Sequence, residues 1–242
     1  KHCLMTKSEI KFLEGPQSRW NEFKFSIEVL LEFIKGFRKL HFVGPCVTIF
    51  GSARFKDGHP YYDVTEELSG KIAQLGFTIM TGGGPGIMEA ANKGAKAVGG
   101  RSVGCNIILP HEQVPNKYLD KWVNIKFFFV RKTLLIKYSY AFVAMPGGFG
   151  TLDEYFEAMT LIQTKMIEQF PIVIFDKAFH KKLIEHIELM KAKGTISPED
   201  EKLFLITDSV EEAVKFIQEN TIAKFKLQPE SPRKKWKWLL EG

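Results

Sequence analysis

The 242-residue chain predicts an α/β fold: a doubly wound parallel sheet with helices on both faces, preceded by an N-terminal helical extension. Three observations carry this. From Cys46 onward, short apolar stretches alternate with helix-length amphipathic segments. The apolar stretches are almost continuous, the pattern of strands buried on both faces of a parallel sheet. Three of them run straight into glycine-rich turns, which in such a sheet all lie at one edge, outside the carboxyl ends of the strands.

The elements follow in order. Residues 18–39 predict a helix, with Trp20, Phe23, Ile27, Leu30, Leu31 and Ile34 spaced by three and four. Phe25 and Phe33 widen that stripe, and the whole is expected to pack on the rest of the domain, a subunit interface being the competing use. CVTIF (46–50) is a strand that ends at Gly51-Ser52, and Tyr61–Leu75 a helix stopped by Gly76. FTIM (77–80) ends in Thr81-Gly82-Gly83-Gly84; Pro85–Val98 is a helix with Pro at its start and Gly99-Gly100 at its end. VGCNIIL (103–109) and VNIKFFF (123–129) are strands, the second followed by a short helix through Tyr138. AFVAM (141–145) leads through Pro146-Gly147-Gly148-Phe149-Gly150 into a helix over Thr151–Ile167. PIVIF (171–175), a helix over Lys177–Lys193, FLIT (204–207) and a helix over Val210–Asn220 complete the pattern. The expected division is an extension over 1–41, one α/β domain over 42–222 and a basic tail over 223–242.

Charge and composition exclude more than they identify. Hydrophobic residues make up 45% and charged residues 26%, a globular balance that excludes a disordered chain or a coiled coil. The net charge of +6 invites a nucleic-acid partner. Its location argues otherwise: residues 1–41 carry +3, residues 224–242 carry +4, and 42–223 carry −1. Trp236 and Trp238 among Lys234, Lys235 and Lys237 could stack on bases, but a solvated basic tail is the plainer reading, and nucleic acid is not the expected partner. Cys3, Cys46 and Cys105 are too far apart for zinc or redox motifs and odd in number. No apolar run is long enough for a membrane span and no signal-peptide pattern opens the chain, so a cytoplasmic protein is expected. The first residue is Lys1 rather than Met, which leaves the natural N-terminus open.

The chemistry is expected at the glycine turns. Glycine lets backbone N–H groups approach a ligand, and a helix N-terminus favours an anion, so a phosphate is the expected guest. Neither a Gly-x-Gly-x-x-Gly fingerprint nor a P-loop Lys-Ser/Thr is present. Glu154 lies three residues after Thr151; as a capping box it would sit in the first helical turn, where the helix end favours its ionised form. Beside a phosphate site such a carboxylate suits stabilising a cationic ribosyl centre or orienting a water. Arg131 opens the helix after VNIKFFF, at the cleft edge, where a guanidinium can grip phosphate bidentately. Asn106 and His111-Glu112-Gln113 form a polar cluster beyond another strand, and Glu89 lies in the helix after the Gly82 turn.

These residues carry a resemblance. PGGFGTLDE (146–154) resembles the PGGxGTxxE signature of the LOG ("lonely guy") family; Arg131-Lys132, GSAR (51–54) and TGGGPGIMEAAN (81–92) match its other cleft motifs in order. The likeness covers about 42–222. The 1–41 extension, the Glu89-Ala90-Ala91-Asn92 run and the Leu109–Gln113 run look like its longer bacterial branch. The resemblance implies a Rossmann-like fold, a homodimer or larger homo-oligomer, and hydrolysis of cytokinin riboside 5′-monophosphates or AMP to free base and ribose 5-phosphate. It makes Arg131 and Glu154 the catalytic pair. Lys132, the Pro146, Gly147, Gly148, Phe149, Gly150 and Thr151 turn, and Thr160 would contact substrate. Gly51, Ser52, Gly83, Gly84, Glu89, Asn106 and Glu112 complete the expected substrate site. No cofactor or metal is expected, and nothing marks a pyridoxal-phosphate lysine despite the family's older lysine decarboxylase label. The alternative is a non-catalytic nucleotide or molybdenum-cofactor carrier of the same fold.

Overall fold

The computed structural model describes residues 7–108, 114–167, 170–197, 199 and 204–225. Two helices come first, α1 (Lys7–Leu13) and α2 (Arg19–Leu40). The rest alternates: β1 (Cys46–Phe50), α3 (Pro60–Gln74), β2 (Thr78–Thr81), α4 (Ile87–Ala97), β3 (Ser102–Ile107), β4 (Lys121–Ile125) and α5 (Phe128–Tyr138). Then follow β5 (Ser139–Ala144), α6 (Phe149–Gln163), β6 (Ile172–Phe175), α7 (Lys181–Ala192), β7 (Phe204–Thr207) and α8 (Val210–Phe225). All seven strands are parallel, in the order β4-β3-β2-β1-β5-β6-β7. The chain reverses its direction of travel between β1 and β5, so the crevice of the doubly wound fold opens at their carboxyl ends.

Successive strand residues divide between two cores, which is why the strands read as unbroken apolar runs. Cys46, Phe50, Phe142, Ile172 and Ile174 face α2, α5 and α6, packing on Val130, Leu134, Tyr155 and Ala158. Val47, Ile49, Val143, Val173 and Phe175 face α3, α4 and α8, packing on Leu68, Ile72, Ile87 and Ile217.

Four features depart from the sequence reading. The second apolar run of the β3–β4 region stops at Ile125; Phe128 and Phe129 belong to the first turn of α5, because a parallel edge strand ends where its pairing with β3 ends. Pro85 precedes α4 rather than opening it, and Gly86, with φ +69°, takes the N-cap position. The helix after the Pro146 turn starts at Phe149, with Gly148 as N-cap, so Thr151 does not cap it and no capping box forms with Glu154. Finally, α2 has two apolar faces, and the one that packs is the secondary one. Phe25, Val29, Phe33 and Leu40 pack on the core, whereas Trp20, Phe23, Ile27, Leu30 and Leu31 are exposed. The inward face is selected by Gly36, where a Cβ would lie 2.4 Å from Leu134 Cδ1; only a bare backbone approaches α5 this closely.

Candidate active site

The carboxyl ends of β1 and β5 are stitched together by main-chain bonds. Met145 N donates to Phe50 O at 2.9 Å and Ser52 N donates to Pro146 O at 3.0 Å, while Ile87 N donates to Ser52 O at 3.0 Å. The Gly51 turn therefore sits between the other two glycine turns, and the three border one cavity of about 630 Å³, a volume suited to a nucleotide-sized ligand.

Nine of the expected residues line this cavity together: Gly51, Ser52, Arg131, Gly147, Gly148, Phe149, Gly150, Thr151 and Glu154. Gly83, Gly84, Asn106 and Pro146 are buried outside its lining. Asn106 Oδ1 occupies the space a Cβ on Gly83 would need, at 1.6 Å from that position, and has no hydrogen-bond partner among the described residues. Lys132 lies outside the lining and ties α5 to α6, its ammonium 3.0 Å from Asp153 Oδ1 and 2.5 Å from Glu157 Oε2. Thr160 is exposed further along α6, its hydroxyl donating to Phe156 O at 2.8 Å, and Glu89 is half-buried on α4, also outside the lining. Glu112, with His111 and Gln113, lies outside the described residues, as do Cys3 and the Trp236–Trp238 tail.

The two longer glycine turns are built differently. Around Gly82–Gly84 a buried polar network fixes the backbone. Gly83 N donates to Thr81 Oγ1 at 2.9 Å, Thr81 Oγ1 donates to Asn92 Oδ1 at 2.7 Å, and Asn92 Nδ2 donates to Ser102 Oγ at 2.8 Å. Asn116 Nδ2 reaches both Asn92 Oδ1 at 2.9 Å and Gly84 O at 3.1 Å. By contrast, nothing lies within 4 Å of where a Cβ on Gly148 or Gly150 would stand. These residues form the open N-terminal end of α6, where first-turn N–H groups have no intrahelical acceptor.

Two of the charged groups in the cavity, Arg131 and Glu154, have opposite settings. Arg131 is anchored by its Nε, which donates to Cys105 O at 2.9 Å, and its Nη2 lies 2.4 Å from where a Cβ on Gly82 would stand. Gly82 therefore makes room for the guanidinium. Glu154 stands in the second turn of α6, only 4% exposed, and its Oε2 has no hydrogen-bond partner among the described residues. Burial pushes its carboxyl up to about 7, against the opposing pull of Arg131 and Lys132. The expectation that the helix end keeps it ionised is thus corrected: the helix starts two residues earlier, and desolvation outweighs the favourable charges. An unpartnered buried carboxyl titrating near neutrality, in a cavity with an anchored guanidinium, has the character of a reactive group. The Cys105 thiol behind the site is pushed up to about 12 by burial, which leaves it unreactive.

Sequence reasoning missed part of the wall. Phe55 and Phe179 face the cavity from beyond β1 and β6, and Phe128 and Met88 from α5 and α4. Arg54 lines it too, and its place in the GSAR turn was the available signal; Phe179 gave none. Among the described residues no group of three or more His, Cys, Asp or Glu side chains could hold a metal ion, and no described helix is long and apolar enough to cross a membrane.

The chain is similar to known proteins. The profile of the family described as "Possible lysine decarboxylase" matches residues 88–217, a span that includes Arg131 and Glu154. A cytokinin riboside 5′-monophosphate phosphoribohydrolase of Rhodococcoides fascians is 25% identical over 178 residues, 71% of this chain and 88% of that protein. The protein of the same name from Mycobacterium tuberculosis is 30% identical over 156 residues, 63% of this chain and 83% of its own. Among solved structures, the molybdenum cofactor carrier protein of Chlamydomonas reinhardtii matches with a TM-score of 0.55 and 21% identity, over 73% of this chain and 98% of that one, a likeness of fold. With the profile covering more than half its length, the chain belongs to the possible lysine decarboxylase family, the LOG family of α/β proteins.

Proposed function

We propose that this protein is a phosphoribohydrolase that cleaves the N-glycosidic bond of purine riboside 5′-monophosphates, AMP or cytokinin-type, releasing free base and ribose 5-phosphate. The observation that carries the reading is that one cavity holds both Arg131 and a buried Glu154 carboxyl whose Oε2 has no hydrogen-bond partner among the described residues. A carrier of an anionic cofactor gains from an arginine and from open amides, but has no use for a buried carboxyl kept beside them, whereas a hydrolase does. The family description does not fit a decarboxylase here, since none of the described lining residues is a lysine able to form a Schiff base.

In this reading the open Gly148–Gly150 stretch of the turn holds the 5′-phosphate on backbone N–H groups at the start of α6. Phosphate held there leaves the ribose facing inward, toward Glu154. As the bond to the base lengthens, the anomeric carbon takes on oxocarbenium character. The ionised Glu154 stabilises that cation and orients the attacking water. Arg131 fixes the phosphate or assists the departing base. Glu154 sits close enough to its titration point at neutral pH to accept the water's proton as the new C–O bond forms. The exposed ring of Phe149 and the rings of Phe55, Phe128 and Phe179 supply flat apolar surface suited to a purine.

The test is release of base and ribose 5-phosphate from AMP and from isopentenyladenosine 5′-monophosphate. Release from either supports the reading; no release from any purine monophosphate contradicts it. We place the protein in the cytoplasm, in keeping with the buried thiols of Cys46 and Cys105, which form no disulfide with each other.

We also assign the chain to a homo-oligomer formed by a second copy on the outward face of α2. Trp20, Phe23, Ile27, Leu30, Ile34 and Phe37 alternate spacings of three and four, a seam that a helix of its own kind fits. Isolated exposed apolar residues are ordinary, whereas a contiguous stripe marks an interface. Light scattering should give a dimer or larger for the natural chain and a monomer for Ile27→Glu combined with Leu30→Glu. A monomeric natural chain contradicts the assignment.

A further inference from the structure

Helix α5, which carries Arg131, begins without a cap of its own. Its N-cap residue is Phe127, whose side chain makes no capping bond, so the amides entering the helix need acceptors from elsewhere. Two carboxylates from the preceding helices supply them. Glu32 Oε2 on α2 accepts from Lys126 N at 2.9 Å, and Glu9 Oε1 on α1 accepts from Phe128 N at 3.3 Å. Both negative charges stand at the positive end of α5. Glu32 is buried and is neutralised by Lys35 Nζ at 3.1 and 3.2 Å from its two oxygens. A carboxylate withdrawn from water is costly unless paired and hydrogen-bonded, and here it is both.

Aromatic packing reinforces the same point. Phe127 is fully buried, with Phe25 of α2 edge-on at 5.0 Å between ring centroids, and Phe25 stacks on Phe12 of α1 at 3.9 Å. Arg131 N donates to Phe127 O at 3.1 Å. The residue gripped by the extension is thus the acceptor of Arg131's own main-chain bond, and the next residue, Phe128, lines the cavity.

We infer that α1 and α2 form a clamp on the start of α5 that positions Arg131 for the reaction, with Glu32 as the central positioning residue. The inference rests on the hydrolase reading for its effect on turnover, but the clamp has a readout of its own. A displacement of about 1 Å in a positioned group can cost on the order of a hundredfold in rate, so partial loosening of the clamp should register in kcat.

The experiment compares the full chain with Glu32→Ala and Glu32→Gln. AMP hydrolysis gives kcat and KM, and hydrogen–deuterium exchange follows amides 126–131. In Glu32→Ala, kcat should fall about tenfold with KM within about threefold, and exchange at 126–131 should accelerate while amides of β1 and β5 stay protected. Glu32→Gln keeps a carbonyl acceptor for Lys126 N and should recover kcat to within about threefold. Unchanged exchange in Glu32→Ala would overturn the clamp, and faster exchange with unchanged kcat would overturn its positioning role. Equal losses in both variants would overturn the Lys126 bond as the operative contact. If the alanine variant fails to fold, Phe25→Leu, which removes the ring edge from Phe127, carries the same expectations. A natural chain that releases no base brings down the hydrolase reading alone, and the clamp is then decided by exchange.

Discussion

The Gly82–Gly86 turn and the Gly147–Gly150 turn look alike in sequence, follow strands at the same sheet edge and lead into helices, yet they use glycine for opposite purposes. In the first, glycine is a packing residue. Gly83 and Gly86 have φ of +74° and +69°, and a Cβ on Gly86 would lie 2.5 Å from Ser52 O and 2.6 Å from the Ala53 carbonyl carbon. In the second, Gly148 and Gly150 face open space on the cavity side. The first turn is scaffold that brings Gly51, Arg131 and α4 together; the second is the surface left free for a ligand. A glycine-rich turn therefore does not by itself mark a phosphate site: what distinguishes the two is whether the room left by the missing side chain is already filled.

The contrast can be broken by substitution. The largest effect is expected for Gly86→Ala, which forces a side chain into a left-handed backbone against main-chain atoms that cannot move aside. It should destabilise the fold by roughly 2–4 kcal/mol, read as a fall in the midpoint of chemical unfolding. Gly148→Ala should leave the unfolding free energy within about 0.5 kcal/mol of the natural chain, while raising KM for AMP several-fold by hindering close approach to the amides. If the two variants behaved alike, the division into scaffold and ligand turn would fail.

Glu154 belongs with the ligand turn, and a group kept for chemistry should cost stability. Its folded-state carboxyl titrates at about 7, above the ordinary 4.5. The fold therefore favours the protonated form, and stability attributable to this group is present at low pH and lost as pH rises from about 4.5 through 7. Glu154→Gln, neutral at every pH, should raise the melting temperature at pH 8 by several degrees, with an upper limit of about 3 kcal/mol at 1.36 kcal/mol per pK unit. The gain should disappear near pH 4. A stabilisation that does not vary with pH would mean that Glu154 is not held in this desolvated state. The smallest effect is expected for Phe149→Ala: its ring is 95% exposed, so stability should change by less than about 0.5 kcal/mol, and any loss should appear in KM for the base-bearing substrate.

Much of this could be read from the chain. Continuous apolar strands such as CVTIF and PIVIF are interpretable because both faces of a parallel sheet are buried, and the strand-to-turn junctions located the cavity. The packing face of α2 and the start of α6 were not. A helix with two apolar faces does not disclose which one packs; that was decided by Gly36 against Leu134 and by Glu32 reaching Lys126 N, both contacts distant in sequence. Glu154 stands in the second turn of α6 rather than in the first, where Thr-x-x-Glu taken as a capping pattern would put it, and only the backbone shows Gly148 as the cap. Thr81, Asn92 and Asn116 were invisible as a network because their partners lie on three separate segments. Phe179 gave no signal, since a phenylalanine after β6 reads equally well as core.

The role proposed for Glu154 is chemistry in a nucleotide cavity rather than holding the fold together. It is tested most directly by comparing the natural chain with Glu154→Gln on AMP, with base release and nucleotide binding measured on the same preparations. In Glu154→Gln turnover should fall by at least about a hundredfold while AMP affinity stays within about threefold. Near-normal turnover in Glu154→Gln would contradict that role.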